Sequence, residues 1–163
     1  MFSSIWKYIL VTRPWSFTMS LVSVTVGTLL AAEDGPVDWF WFAVAAVGIV
    51  LFHAAANVIN DYFDIRTDLI NRGEVIVGSK VPRRQAMLWH NILNLIGVAA
   101  GFYISWKAGY FWMGILFLIV SGLLYFYSAS YKRQFLVGNI VVAVLTAMVP
   151  LLVVFYEWPA LYR

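Results

Sequence analysis

A chain of 163 residues with 63% hydrophobic and 12% charged content and a mean hydropathy of +0.82 lies outside the range of soluble domains. That excludes a water-soluble globular enzyme and predicts an all-α, polytopic membrane bundle. The net charge of +3 and the pI near 9.3 do not point to nucleic acid, because so apolar a chain leaves little solvated surface for a phosphate backbone. Cysteine is absent, so disulfides and thiol chemistry are excluded and the redox compartment stays open.

In chain order, 1–13 carries apolar residues at Phe2, Ile5, Trp6, Ile9 and Leu10 with Lys7 among them, the pattern of a short helix lying in the membrane interface. A cleaved signal peptide ending near Ala31 and Ala32 fits less well, since the apolar run is too long and begins only after Arg13 and Pro14. A spanning helix needs about 20 residues. Five segments reach that length, approximately 14–32, 39–60, 86–106, 110–131 and 137–156. Ser16, Ser20, Ser23 and Gly27 form a small-residue stripe on the first, and Gly97 and Gly101 a small pair on the third, as close helix packing requires. Asn91 and Asn94 share a face of the third segment and are expected to point inward, because an unpaired amide is costly in lipid. His53 is expected to be a hydrogen-bonded core histidine and His90 an interface residue. Trp15, Trp39, Trp41, Trp106, Tyr110, Trp112, Tyr131, Tyr156 and Trp158 lie near segment ends as interface anchors.

The end of the second segment stands apart. Between Asn57 and Asp68 it holds three aspartates and two asparagines. On a helix turning about 100° per residue, Asn57, Asn60, Asp61, Asp64 and Asp68 fall within roughly 100° of arc while Arg66 points away. Carboxylates so crowded repel one another at the edge of an apolar layer unless a cation neutralises them. Oxygen donors without His or Cys suit magnesium or calcium rather than zinc, and magnesium favours one or two carboxylates completed by waters and phosphates. The spacing therefore reads as half of a metal–diphosphate site, against the plainer reading of a solvated acidic helix end.

Placing the amino terminus inside puts Lys7, Arg13, Arg66, Arg72, Lys80, Arg83, Arg84, Lys132 and Arg133 on the inner side, and only Lys107 and Arg163 outside. That satisfies the positive-inside rule and sets the acidic stretch on the cytoplasmic face. The first outer loop, with Glu33, Asp34 and Asp38 around Gly35-Pro36, reads as a turn. The inner loop 69–84 sets four basic residues beside the acidic face. Arg83 and Arg84 fit membrane anchors, whereas Arg72 and Lys80, in glycine-containing loop sequence that could fold over a ligand, are the better diphosphate candidates.

Asn60-Asp61-x-x-Asp64-x-x-x-Asp68 resembles the first Asp-rich motif of the UbiA superfamily of intramembrane prenyltransferases. Arg13-Pro14 before the first span, and Tyr127-Ser128 with Lys132 after the fourth, are also similar to that family. The resemblance covers essentially the whole chain. Asn57 through Asp64 and Arg13-Pro14-Trp15-Ser16 look most similar to the menaquinone-pathway branch, which prenylates 1,4-dihydroxy-2-naphthoate; the loop from Val75 to Arg84 is closer to geranylgeranylglyceryl-phosphate enzymes. What the resemblance implies is transfer of a polyprenyl group from a prenyl diphosphate to a small aromatic or lipid acceptor. Mg2+ would be held by Asn60, Asp61, Asp64 and Asp68, with Asp61, Asp64 and Asp68 catalytic, and Arg13, Asn57, Arg72, Lys80, Tyr127 and Lys132 on the substrate. Tyr127 or Phe63 would face an allylic carbocation. The expected setting is the inner or plasma membrane of a prokaryote, in contact with lipid and without nucleic acid.

The family builds its site from about nine helices, each long enough to span, and from a second Asp-rich motif; Glu157 is the lone acid late in this chain. The expectation is a single domain that is part of a longer enzyme, ahead of a chain whose missing helices come from a second chain, or an inactive copy. Two other classes compete. A membrane scaffold leaves the acidic arc without a purpose, and a cation transporter would carry its acids near mid-membrane rather than at a helix end.

Overall fold

The computed structural model describes the backbone of residues 2–32 and 36–161 and the side chains of 5–32 and 36–153. The expected turn at Glu33, Asp34 and Gly35, the anchors Tyr156 and Trp158, and the late acid Glu157 lie outside the described residues or side chains, as does Arg163. Six helices follow one another: α1 (Phe2–Val11), α2 (Phe17–Ala32), α3 (Trp39–Arg72), α4 (Arg83–Lys107), α5 (Gly114–Ala129) and α6 (Val137–Leu161). Short 3-10 turns at Pro14–Ser16, Phe111–Met113 and Tyr131–Arg133 lead into α2, α5 and α6.

By length and apolar composition, four stretches are able to cross a membrane: Ile5–Ala32, Trp39–Arg72, Arg83–Lys107 and Phe111–Ala129. Val137–Val153 adds a shorter apolar helix among the described residues. These correspond to the five expected segments, with two corrections. The second span does not stop near Asn60 but continues unbroken to Arg72, so the acidic stretch is helical throughout. The inner loop is accordingly shorter, and it is not loose. Val77 and Val81 form an isolated bridge, are almost fully buried, and pack with Val11, Ala54, Ala55, Val58, Ala86 and Leu93. Burying two β-branched side chains pins the loop onto α3 and α4.

Local chemistry accounts for the helix ends. Asp38 caps α3, its carboxylate accepting from the Phe40 and Trp41 amides at 3.0 and 3.3 Å. Gly73 ends the same helix at φ 71°, the left-handed conformation glycine adopts without a steric penalty. Pro82 directly precedes α4, where its missing N–H interrupts no helical bond.

α3 packs chiefly on α4; α2 lies against α6 and α3, and α5 against α4 and α3. The small residues work as expected. Gly27 sits under Pro150 and Val153 of α6, Gly97 under the Phe52 ring, and Gly101 against Phe117. Asn94 donates to Ser121 Oγ at 2.6 Å, tying α4 to α5. Asn91, by contrast, is exposed rather than inward. His90 is also not an interface residue: it is buried, with Nδ1 2.9 Å from the Ala55 carbonyl, because α3 and α4 approach closely at small alanines. On α1, Ile5, Trp6 and Ile9 face outward while Val11 is buried, as an interfacial helix with one packed edge requires. Trp15, Trp39, Trp106 and Trp112 are all exposed near helix ends.

A Cβ on Gly101 would overlap the Phe117 ring, whereas one on Gly122 meets nothing within 4 Å. Gly101→Ala is expected to destabilise the bundle by about 1–3 kcal/mol through overpacking, and Gly122→Ala to leave it unchanged or raise it by up to about 1 kcal/mol through helix propensity. Thermal melting in detergent distinguishes the two.

Candidate active site

The acidic face of α3 is met by cations from two distant parts of the chain. Arg13 lies just before α2, and its guanidinium forms an ion pair with Asp61, whose side chain is only 7% exposed. Lys132, in the 3-10 turn after α5, donates to Asn60 Oδ1 at 2.8 Å and to Asp64 Oδ2 at 2.6 Å. Asp68 has a weaker companion in Arg72, one helical turn further on at 3.8 Å, and Arg72 is largely exposed. An exposed pair at that distance contributes little. The two partly buried pairs are a different matter, since removing one partner would strand a desolvated charge.

Each cation is placed by backbone geometry. Arg13 has φ 53° and ψ 61°, a left-handed conformation for a non-glycine residue, and Pro14 follows it at the start of the 3-10 turn. This kink separates α1 from α2 and turns the guanidinium toward α3. Lys132 depends on Gly138: a Cβ there would come within 2.9 Å of Lys132 Cα and 3.0 Å of the Tyr131 carbonyl, so only glycine lets α6 begin so near the lysine. Arg133 adds a 3.4 Å bond to the Phe63 carbonyl.

Asn60, Asp61, Asp64, Arg13 and Lys132 are thus brought together. Asn57 is not on the acidic face in the expected role: its amide donates to the Thr12 carbonyl at 2.7 Å and Ser16 Oγ at 3.1 Å. Nor does Lys80 belong there. It is exposed, and no ion pair among the described residues links it to an aspartate, because the loop that carries it is held down by Val77 and Val81. Tyr127 is half-buried, but the neighbouring Tyr125 is the residue that reaches α3, its ring 5.7 Å from Phe63 and 6.1 Å from His90. Tyr125 and Gly138 were not distinguishable from sequence. An aromatic among aromatics and a glycine at a helix start carry no signal until the neighbouring helix is in place. His53 holds as a bonded core residue, between Ser20 and Ser16.

Among the described residues no three His, Cys, Asp or Glu side chains converge into a metal-holding group. The donor set on α3 nevertheless consists of hard oxygens alone, which fits a magnesium ion completed by substrate phosphates better than a metal enclosed wholly by protein.

The UbiA prenyltransferase family model matches residues 20–158. The chain belongs to the UbiA prenyltransferase family. Over 144 residues it is 33% identical to the digeranylgeranylglyceryl phosphate synthase of Methanothermobacter thermautotrophicus, covering 86% of this chain and 47% of that protein. The synthase of the same name from Thermococcus kodakarensis is 31% identical, covering 88% and 50%. A shorter stretch of 58 residues, 35% of this chain and 17% of the relative, is 45% identical to UbiA prenyltransferase domain-containing protein 1 of Danio rerio. A solved structure concerned with digeranylgeranylglyceryl phosphate synthase in membranes superposes with a TM-score of 0.80 at 25% identity, covering 92% of this chain and 52% of that one. The UbiA-family chain therefore spans about half the length of the relatives it matches, and with its apolar helices it is an integral membrane protein.

Arg13→Met is expected to cost this UbiA-family protein about 3 kcal/mol by leaving Asp61 buried without its counter-charge. Adding Asp61→Leu should restore much of that loss, measured as recovery of the melting midpoint in detergent.

Proposed function

We propose that this chain supplies one half-site for magnesium-dependent transfer of a polyprenyl group from a prenyl diphosphate to a lipid acceptor of the glyceryl-phosphate type. The observation that carries the reading is the meeting of Arg13 and Lys132 with the acidic face of α3. Opposite charges interleaved in this way suit a ligand that brings both a metal and a polyanion. Asn60, Asp64 and Asp68 are the better magnesium donors, since Asp61 is buried against Arg13. Bound there, the metal would neutralise charge on the diphosphate.

The chain's own residues do the rest. Lys132 and Arg13 offer N–H donors to diphosphate oxygens as negative charge grows on the leaving group, and Arg72 is an outer cation at the mouth. The allylic C–O bond breaks with its electron pair leaving on the diphosphate. The faces of Phe63 and Tyr125, with Tyr127 a turn-neighbour of the latter, offer quadrupole stabilisation to the carbocation. An acceptor hydroxyl oxygen then bonds to that carbon and gives up its proton. Burial of the site between helices limits capture of the cation by water.

The names of the relatives favour a lipid acceptor over 1,4-dihydroxy-2-naphthoate and menaquinone biosynthesis. Archaeal relatives likewise support a prokaryotic membrane, and the basic residues a cytoplasmic site. Helices contributed from beyond these residues, whether by the same polypeptide or a second chain, would complete the prenyl groove.

The test is transfer from labelled geranylgeranyl diphosphate in membranes holding the protein, with geranylgeranylglyceryl phosphate or dihydroxynaphthoate as acceptor. Magnesium-dependent product with the lipid acceptor is expected, with Asp64→Asn lowering the rate about 100-fold or more. Product with the naphthoate alone would reinstate the aromatic acceptor. Prenyl diphosphate binding in detergent that ignores both magnesium and an Asp64→Asn, Asp68→Asn double substitution would reject the diphosphate site.

A further inference from the structure

A second set of polar contacts lies one to two turns deeper along α3 than Asp61 and touches none of its carboxylates. Ser16 Oγ is its centre. It is 2.8 Å from the Arg13 carbonyl, 3.1 Å from His53 Nε2 and 3.1 Å from Asn57 Nδ2. Asn57 also donates to the Thr12 carbonyl at 2.7 Å, and His53 Nδ1 lies 2.6 Å from Ser20 Oγ. The proton count fixes the direction of every bond. A serine hydroxyl has one proton, and a carbonyl can only accept, so Ser16 donates to Arg13 and must accept from Asn57 and from His53. His53 is then the neutral tautomer protonated on Nε2, with Nδ1 accepting from Ser20. Donors and acceptors match throughout, which is what such a network needs in an apolar bundle.

What this network grips is the backbone on both sides of the Arg13 kink: the Thr12 carbonyl before it and the Arg13 carbonyl itself. Arg13 is left-handed, a conformation that an L residue keeps only when its surroundings hold it there. Relaxed to ordinary helical angles, α1 would run on into α2 and the guanidinium would turn away from Asp61.

We infer that Asn57 and His53 are positioning residues that hold Arg13 in its left-handed kink and thereby aim its guanidinium at the diphosphate site. Neither side chain contacts substrate; both act through Ser16 and the 12–13 backbone. The inference rests on the proposed diphosphate role of Arg13, and it reassigns Asn57 from ligand binding to support.

The experiment is a double-mutant cycle on the whole protein in detergent or membranes, crossing Asn57→Leu and His53→Leu with Arg13→Met. Each single substitution at 57 or 53 is expected to raise KM for the prenyl diphosphate about tenfold, the order of one lost hydrogen bond, with little change in kcat. In the Arg13→Met background neither should raise KM further, because the group they aim is gone. His53→Gln, which keeps a donor near the Nε2 position, should retain most of the wild-type KM, where His53→Leu does not. Additive effects in the Arg13→Met background would overturn the inference and leave Asn57 as a direct ligand or a general packing residue. The same cycle read as melting midpoints keeps the test independent of turnover: coupling between Asn57 and Arg13 is expected, and independent losses would refute it. If Asp64→Asn leaves transfer untouched, the proposed function fails by itself, and the melting cycle still decides whether Asn57 and His53 hold the kink.

Discussion

Three aspartates on one face of a helix end are the constraint this structure is arranged to satisfy. Asp61, Asp64 and Asp68 share an arc of α3 at the edge of the apolar layer, where unpaired carboxylates would be costly. Asp61 and Asp64 take their counter-charges from residues 48 and 68 positions away in the chain. Both pairings require the helices to pack in one order. α2 must lie beside α3 with Arg13 at its head, and α5 must return its C-terminal end to the same side so that the Tyr131–Arg133 turn reaches Asn60. The charge pattern and the bundle topology are therefore the same problem.

The solutions to the two pairings differ. On the Arg13 side the backbone is bent into a left-handed conformation and fastened by a polar network that penetrates the bundle to His53. On the Lys132 side the fold relies on absence of bulk, with Gly138 allowing α6 to start against the turn. The first device is directional and the second steric. Together they hold two cations among acidic and amide oxygens without a rigid protein cage, which suits a site meant to admit a charged ligand.

Much of the fold was legible before any coordinates. Apolar runs of spanning length gave the helices, small residues at spacings of three and four marked their contacts, and the interleaved basic residues set the orientation. Boundaries were less legible. Nothing in 57–68 separates a helix that ends at Asn60 from one that runs to Arg72, since polar residues are equally at home in an exposed helix and a loop. The loop at Val75–Val81 was misread for a similar reason: glycine and lysine suggested mobility, while the two valines that anchor it gain meaning only once α3 and α4 stand behind them. His90 and Asn91 exchanged their expected environments because adjacent residues on a helix differ by about 100° and their facing depends on its rotation.

By itself the sequence determined the chemistry available here: an apolar helical chain, a face of hard oxygen donors, basic residues concentrated on one side, and an Asp-rich motif similar to one family's. Those properties follow from composition and from a helical period that is local. Tertiary structure alone decided which cation meets which carboxylate, that Asn57 turns to the Thr12 backbone instead of a ligand, and that Tyr125 rather than Tyr127 reaches Phe63. Such choices depend on the rotation and separation of helices distant in sequence, quantities set by packing across the whole bundle rather than by the residues of any one segment.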